Sequence, residues 1–249
     1  MRGALVQFLG SGDAFGSGGR YQACIRVVMG RNTVLLDCGA SSLIAMKAAN
    51  VDPGTVDGIV ITHLHGDHFA GVPFLILDGQ FSRRRRKLTI AGPVGVRARV
   101  EAAMEILFPG STSVARPFEI QWRELKPRHA ITVAGFSVNS FEVIHASGAP
   151  ALALRLSADT TTIAYSGDTE WTDELIAAAS KAELFVCEAY AFDKAIKYHL
   201  SYRTLADHLK AISAKRVILT HLGSDLLGHL DEVAADVAYD GLMVTIDDD

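Results

Sequence analysis

The sequence predicts an α/β protein, because short apolar runs and helical patterns alternate along its 249 residues. Runs rich in Val, Ile and Leu, such as 57–62 and 183–187, are typical of buried strands. Segment 94–107 instead spaces its apolar residues as one face of a helix does. The first third of the chain is rich in strands and short turns, and strands and helices alternate after it.

Turn residues and apolar periodicity set the bounds of the individual elements. Ser41, Thr172 and Ser201 are candidate N-caps or first-turn residues. The glycine-rich string 10–19 lies between two strands, and no Gly-Lys-Ser/Thr follows it, so it predicts a loop near a site rather than a phosphate loop. The predicted helices are 41–49, 68–80, 94–107, 171–180, 201–212 and 229–238. The predicted strands are 4–9, 23–29, 33–37, 57–62, 87–91, 118–124, 129–143 with a break, 151–157, 161–165, 183–187, 216–220 and 242–246.

The composition narrows the class of protein. Hydrophobic residues make up 49% of the chain, which is enough for a sizeable core. No apolar run approaches the roughly 20 residues needed to cross a bilayer, so we expect no membrane partner. The apolar start of the chain is too short for a signal peptide, which predicts a cytoplasmic protein. Three scattered cysteines in apolar runs argue against a disulfide framework.

Four candidate metal ligands occur within segment 63–68, directly after a predicted strand. Because residues i and i+2 of an extended segment point the same way, His63 and His65 can bind one ion together. The glycine between them and the next pair lets Asp67 and His68 reach a neighbouring position. Imidazole suits zinc, and the added carboxylate favours a harder or mixed site. Packing gives such residues no reason to cluster, since burying them unpaired is costly.

Three more polar residues follow other predicted strands. His145 closes the run that ends at 144, Asp168 follows strand 161–165, and His221 follows strand 216–220. Because all three come directly after apolar runs, we expect them at one rim of a sheet. With the first four residues they make a candidate ligand set for two ions.

The order His-x-His-x-Asp-His, then His, Asp and His, resembles the metallo-β-lactamase superfamily over most of the chain. The resemblance implies a four-layer αββα sandwich, with two mixed β-sheets face to face and metals at one edge. It also implies that residues 1–249 form a single metallo-β-lactamase-like hydrolase domain. Two divalent metal ions are expected, with zinc first and manganese or iron as alternatives. In this scheme one metal is held by His63, His65 and His145, the second is held by Asp67, His68 and His221, and Asp168 bridges the two.

The expected chemistry follows from two adjacent cations. Ions about 3.5–4 Å apart share a bridging hydroxide, lower its pKa toward neutrality and make it the nucleophile. They also offset the negative charge that builds up in the transition state. Asp67 is a candidate catalytic residue as well as a candidate ligand in this scheme.

Other segments resemble the ribonuclease Z-like phosphodiesterase branch of the superfamily, namely 68–75, 88–93 and 165–169. Glu188 and His199 resemble a glutamate and histidine that pair near the metals in that branch. The resemblance implies that the histidine is a general acid or transition-state donor and that the glutamate orients it. The alternative is a helix-capping histidine and an unrelated surface carboxylate.

The expected substrate is a small molecule with a phosphodiester bond. Members that process transfer RNA carry a long basic arm between the residues matching His145 and Asp168, whereas segment 146–167 predicts a plain hairpin. We therefore expect hydrolysis of a small or cyclic phosphodiester rather than tRNA 3′ processing. Two alternatives stay open: a lactone, thioester or β-lactam hydrolase on the same metals, and a metal-bound ligand-binding protein without turnover.

One basic run, Arg83–Lys87, favours nucleic acid. A run of charges at a turn is more often a solvated face, and no aromatic residues interleave with this one. The net charge of −4 also does not attract nucleic acid to the protein as a whole. Nucleic acid is therefore a partner that we do not favour. A homodimer is expected from the resemblance only.

Overall fold

Two β-sheets form the frame of the protein in the computed structural model, which describes residues 3–247. Most residues of the central strands are buried, as expected for strands packed between layers. The strands are β1 (Ala4–Gly10), β2 (Cys24–Met29), β3 (Asn32–Leu36), β4 (Gly58–Val60), β5 (Leu88–Gly92), β6 (Ile120–Glu124), β7 (Ile131–Val133), β8 (Phe136–Val143), β9 (Ala151–Ala158), β10 (Thr161–Tyr165), β11 (Leu184–Glu188), β12 (Arg216–Thr220), β13 (Asp236–Val237) and β14 (Met243–Ile246).

Each sheet has seven strands and is antiparallel on one side and parallel on the other. The first sheet has the order β14-β1-β2-β3-β4-β5-β6, and its pairs are parallel from β3 onward. The second has the order β13-β12-β11-β10-β9-β8-β7, and its pairs are parallel between β13 and β10. The carboxyl ends of the parallel strands in a sheet meet at one edge, which is where such sheets place their sites.

Helices cover the outer face of each sheet. They are α1 (Ser42–Ala48), α2 (Gly66–Phe69), α3 (Val72–Phe81), α4 (Val96–Leu107), α5 (Glu174–Ala179), α6 (Tyr202–His208) and α7 (Ser224–Leu227). Ser201 caps α6, because its hydroxyl accepts a hydrogen bond from the amide of Thr204. Ser41 precedes α1 without a side-chain cap, and Asp173 takes the cap position beside Thr172.

Three apolar layers hold these elements together. The middle layer joins both sheets and contains Phe8 and Phe136, each fully buried. Truncating either ring to alanine would cost about 3–5 kcal/mol. A second layer packs α1, α3 and α4 on the first sheet, and a third packs α5 and α6 on the second. The arrangement is the expected αββα sandwich, which is thereby confirmed.

The predicted helix 68–80 is in fact two helices that break at Gly71. The backbone there passes close to the loop after β3, and a Cβ on Gly71 would lie 2.1 Å from the carbonyl oxygen of Gly39. Pro73 then lies in the first turn of α3, where its fixed φ favours a new helix start. This close approach seats α2, and with it Asp67 and His68, against the end of β3.

The predicted helix 229–238 is wrong. A 3-10 turn (Leu230–Glu232) and strand β13 occupy that segment, and α7 precedes it. Asp236 pairs with Ile218 of β12, so edge pairing to the second sheet overrides the local helical pattern. Every predicted strand is present within two residues of its expected bounds, and β13 is the strand that the pattern missed.

Candidate metal centre

All seven predicted ligands lie at one rim of the sandwich, just beyond strand ends. The turn after β4 carries the first four, and His145, Asp168 and His221 follow β8, β10 and β12. Two groups of these residues have ligand atoms within 4.8 Å of one another. The first group is His63, His65 and His145, and the second is Asp67, His68, Asp168 and His221.

The first group consists of three imidazoles. His145 Nε2 lies 3.0 Å from His65 Nδ1. The ring centroid of His63 lies 4.9 Å from that of His65 and 4.6 Å from that of His145. Three neutral nitrogen donors that converge on one point suit zinc, which is commonly held by imidazole with an open position for water or substrate.

The second group mixes nitrogen and oxygen. His68 Nε2 lies 3.2 Å from Asp67 Oδ2 and 3.3 Å from Asp168 Oδ1. His221 Nε2 lies 3.3 Å from Asp67 Oδ2 and 3.4 Å from Asp168 Oδ2. Asp168 Oδ2 also lies 3.8 Å from His63 Nε2 in the first group. The Asp168 carboxylate therefore stands between the two groups, where a bridging ligand belongs.

Buried atoms of both groups lack ordinary hydrogen-bond partners among the described residues. They are His63 Nε2, His68 Nε2, Asp168 Oδ1 and His221 Nδ1. Leaving such atoms unsatisfied costs about 1–3 kcal/mol each, so a protein tolerates them where a further group satisfies them. The residues present therefore fit divalent metal ions.

The charges within the centre are strongly coupled. Burial works to raise the pKa of Asp168, but His221 and His68 outweigh it and hold that pKa well below its usual range. Burial works to lower the pKa of His221, but Asp168 and Asp67 raise it to about 9. The pKa of His63 is well below its usual range because of burial and the neighbouring charge of His68. Burial likewise works to lower the pKa of His68, but the carboxylates of Asp168, Asp37 and Asp67 outweigh it and raise that pKa.

A buried aspartate orients the ligands of both groups. Asp37 Oδ2 accepts a hydrogen bond of 2.7 Å from Nδ1 of His68. Its Oδ1 accepts one of 2.7 Å from the amide of Thr62, whose hydroxyl lies 3.0 Å from Nδ1 of His63. With Nδ1 engaged, Nε2 of each histidine faces the centre, which is the usual way that metal-binding histidines are held. Asp37 directly follows β3 and is not among the predicted ligands.

His145 is held from the loop before α6. Its Nδ1 donates to the carbonyl oxygen of Tyr198 over 2.8 Å. Tyr198 has a left-handed backbone with φ of 70°, and its amide donates to the carboxylate of Glu170 over 2.8 Å. This backbone contact ties the loop that carries His199 to the first ligand group, and no sequence pattern pointed to it.

Glu188 and His199 are in contact. Glu188 is fully buried at the end of β11, and its Oε1 is hydrogen-bonded to Nδ1 of His199. Its Oε2 accepts from the amides of Thr169 and Leu200, at 2.8 and 3.3 Å. The alternative of a surface carboxylate and a capping histidine does not fit, because Glu188 is inside and Ser201 caps the helix.

The His199 side chain keeps 22% of its surface exposed, so it borders both the centre and solvent. Burial works to lower the pKa of His199, but its hydrogen bond to Glu188 and the carboxylate charges raise it. Atoms of both residues also lie within 4.8 Å of ligand atoms of Asp168 and His221. Glu188 engages Nδ1 of His199, so the pair stands as one hydrogen-bonded unit beside the candidate metal centre.

The basic run lies at the opposite end of the first sheet. It directly precedes β5, whereas the ligands follow the carboxyl end of the parallel neighbour β4. Arg84 is buried and donates to backbone carbonyl oxygens, including those of Pro53 and Val56. Arg86 pairs with Asp57. Arg84 is thus a structural residue, and the exposed members of the run point away from the centre's edge.

Asp13 and Trp171 have structural contacts. Asp13 forms a turn by accepting from the amides of Phe15 and Ser17, at 3.2 and 2.9 Å. Trp171 stacks on His208 with centroids 4.0 Å apart. The three cysteines are buried, as predicted. Within residues 3–247, no helix has the length and apolar character needed to span a membrane.

Comparison with known proteins identifies the family. The family model described as "Anti-Pycsar protein Apyc1" matches residues 4–232. Ribonuclease Z of Agathobacter rectalis is 26% identical over 89% of this chain and 88% of its own length. Ribonuclease Z of Methanothermobacter thermautotrophicus is 29% identical over 88% of this chain and 86% of its own length.

Solved structures agree in fold. The short form of human tRNase Z has a TM-score of 0.79 at 24% identity, covering 97% of this chain and 99% of its own. A diphosphatase from the PhnP family has a TM-score of 0.77 at 18% identity, covering 97% of both chains. The chain therefore belongs to the Apyc1 anti-Pycsar family, within the ribonuclease Z-like phosphodiesterase branch of the metallo-β-lactamase superfamily.

Proposed function

We propose that the protein hydrolyses a small or cyclic phosphodiester with two divalent metal ions. The observation that carries this proposal is the Glu188–His199 pair, which stands beside two ligand groups with the Asp168 carboxylate between them. Ribonuclease Z relatives, whose name states an action on RNA, support phosphodiester chemistry. A lactone or thioester hydrolase would use the same ligands but would leave the buried pair without a task.

The first ion would be held by His63, His65 and His145, and the second by Asp67, His68 and His221, with Asp168 between them. Zinc is the metal that we propose, and manganese and iron are the alternatives. When bound, such ions lower the pKa of water and offset the negative charge of the phosphoryl transition state. Asp37 and Thr62 keep the histidine ligands turned toward the ions.

His199 would protonate the leaving oxygen. Its raised pKa favours the protonated ring near neutral pH, and the hydrogen bond to Glu188 holds Nδ1. The other ring nitrogen then carries the proton that goes to the leaving group, and solvent returns a proton afterwards. General acids of this kind contribute about 10²–10⁴ to the rate.

The preference for a small substrate comes from the segment between His145 and Asp168. Strands β9 and β10 fill it as a short hairpin, so no arm extends from it to hold the body of an RNA. The basic run lies at the other end of the sheet and gives no continuous path to the centre. A substrate such as a nucleoside cyclic monophosphate needs neither feature.

The test is turnover of bis-(p-nitrophenyl) phosphate and of a nucleoside 3′,5′-cyclic monophosphate by the purified, metal-loaded protein. Wild type, Asp168→Ala, His199→Ala and the exposed control His129→Ala are compared, with metal content measured on each sample. We expect turnover of both substrates in wild type and the control, and loss of both in Asp168→Ala. In His199→Ala, with metal retained, we expect loss of turnover of the cyclic substrate and a smaller fall on the nitrophenyl ester, whose leaving group needs no proton. A fully loaded wild type that turns over neither substrate would contradict the proposal, and lactone and thioester panels would follow.

Three other expectations stay proposals of ours: one hydrolase domain over residues 1–249, a homodimer and a cytoplasmic location. Light scattering measures the mass in solution, and a monomer at all accessible concentrations would contradict the dimer. Limited proteolysis that releases a stable fragment would contradict the single domain. Fractionation of the source cells would test the location.

A further inference from the structure

Tyr190 lies flat against His199. It follows β11 two positions after Glu188, and its ring centroid is 4.6 Å from that of His199 with 30° between the planes. The ring of His221 lies 6.1 Å away on the same side of the centre. Tyr190 is half-buried, so it forms part of the wall between the centre and solvent.

The backbone of Tyr190 joins the two loops that carry these histidines. Its amide donates to the carbonyl oxygen of Leu200 over 2.8 Å, and its carbonyl oxygen accepts from the amide of Gly223 over 2.9 Å. A Cβ on Gly223 would lie 2.8 Å from that oxygen and 3.1 Å from the Tyr190 ring, so the glycine makes room for the tyrosine. The position of the ring is therefore fixed by its surroundings.

His199 needs this support because one hydrogen bond does not fix a ring. Glu188 holds Nδ1, but an imidazole held by a single hydrogen bond can still tilt about that contact. The ring of His145 meets His199 at 74° with centroids 5.1 Å apart, and Tyr190 covers a face. Residues 193–197, which precede His199, are exposed.

We infer that Tyr190 is a positioning residue that holds the imidazole plane of His199 toward the scissile phosphodiester. The inference rests on the proposed role of His199 as the proton donor. The contact is made by the aromatic face, so phenylalanine at this position preserves it and an aliphatic side chain does not. Small errors in the placement of a catalytic group cost up to about 10²-fold in rate.

The experiment compares two substrates that differ in their need for an acid. The p-nitrophenolate of bis-(p-nitrophenyl) phosphate leaves readily without a proton, whereas the sugar alkoxide of a nucleoside 3′,5′-cyclic monophosphate does not. For Tyr190→Leu we expect kcat on the cyclic substrate to fall by about tenfold or more, with KM and metal content near wild type. The fall on the nitrophenyl ester is smaller, and Tyr190→Phe restores most of the rate on both.

A second readout is independent of turnover. Proton NMR of the metal-loaded protein follows the imidazole N–H of His199, which is assigned by its absence in His199→Ala. We expect the resonance in Tyr190→Phe and its loss or broadening in Tyr190→Leu. Tyr190→Met, which keeps much of the volume without a flat face, repeats the test if the leucine variant does not fold.

Each contrary outcome is distinct. Wild-type kcat and an intact N–H resonance in both aliphatic variants would overturn the role of Tyr190 while leaving that of His199. A phenylalanine variant as slow as leucine would assign the effect to the hydroxyl group and overturn the ring contact. Loss of metal in the aliphatic variants would make Tyr190 a support of the metal centre instead. Equal rates on the cyclic substrate in wild type and His199→Ala would overturn the proposed role of His199, whereas no turnover by the loaded wild type would overturn the proposed function itself.

Discussion

Asp37 and His68 are both fully buried, and a hydrogen bond of 2.7 Å joins Oδ2 of the carboxylate to Nδ1 of the ring. The contact decides which nitrogen of His68 faces Asp67 and Asp168. Asp37 reaches it with a left-handed backbone, φ 59°, directly after β3. A residue outside the ligand set therefore controls the geometry of the second group.

Asp37→Asn is expected to weaken metal binding at that group by about 10–100-fold, because the amide orients His68 poorly and does not increase its basicity. The measurement is metal content after dialysis against a graded series of chelator concentrations. Asp57→Asn is the control, since Asp57 accepts from the Thr33 amide away from the centre. Equal metal retention in both variants would refute the role of Asp37.

Glu188→Gln tests the second buried carboxylate. The carboxylate helps to raise the pKa of His199, so its removal lowers that pKa. Since the proton donor must be protonated, activity is lost as pH rises through this pKa. We expect the alkaline limb of the kcat profile to move to lower pH and kcat to fall about tenfold. If the alkaline limb does not move while the metals are retained, a group other than His199 controls this limb.

Metal binding is expected to release protons. His221 has a pKa of about 9 in the metal-free centre, so it is protonated at pH 7 and must lose that proton to bind a cation. Affinity therefore rises with pH up to about 9 and levels off above it. Calorimetric titrations with zinc in buffers of different protonation enthalpy count the protons. Heats that do not depend on the buffer would contradict the protonated state of His221.

Gly167→Ala should destabilise the protein more than the same substitution does at a left-handed glycine with open space around it. Gly167 has φ of 56°, and a Cβ there would lie 2.9 Å from Cβ of Thr62. Gly19 has φ of 75° with nothing within 4 Å, so Gly19→Ala measures the backbone penalty alone. We expect losses of about 1 kcal/mol for Gly19→Ala and about 2 kcal/mol or more for Gly167→Ala in denaturant unfolding. Equal losses of stability would show that the Thr62 side chain moves to make room for the added methyl group.

The basic run separates into a structural arginine and exposed ones. Arg84→Met leaves the buried carbonyl oxygen of Val56 and its neighbours without a donor, so the free energy of unfolding should fall by about 2–3 kcal/mol. Arg85→Met changes an exposed residue and should stay within about 0.5 kcal/mol. Arg85→Glu should leave turnover of the small substrates unchanged. A large loss of turnover in Arg85→Glu would bring the run back as a substrate contact.

The clustering of the candidate ligands was predictable because each of them follows the end of a single strand. A strand end followed by a polar residue is visible in the sequence at His145, Asp168 and His221. Asp37 satisfies the same description, and its function became visible only when its distance to His68 was known. The signal was present, but it did not distinguish this aspartate from a turn residue.

Contacts between distant segments were not predictable. Nothing in the sequence places the Tyr198 carbonyl against His145, or the Tyr190 ring against His199, because these depend on how three loops stack at one rim. The break at Gly71 likewise depends on a carbonyl from another loop. The helical pattern of 229–238 was overridden by the pairing of β13 with β12, which local periodicity does not reveal.

The division of the candidate ligands between the two sheets has a consequence for the chain as a whole. His63 and His65 come from the first sheet and His145 from the second, and the other group is split in the same way. A cut between β6 and β7 would therefore leave each fragment with an incomplete set of donors. Metal binding would then require both fragments, and recovered turnover would report that the two fragments had associated.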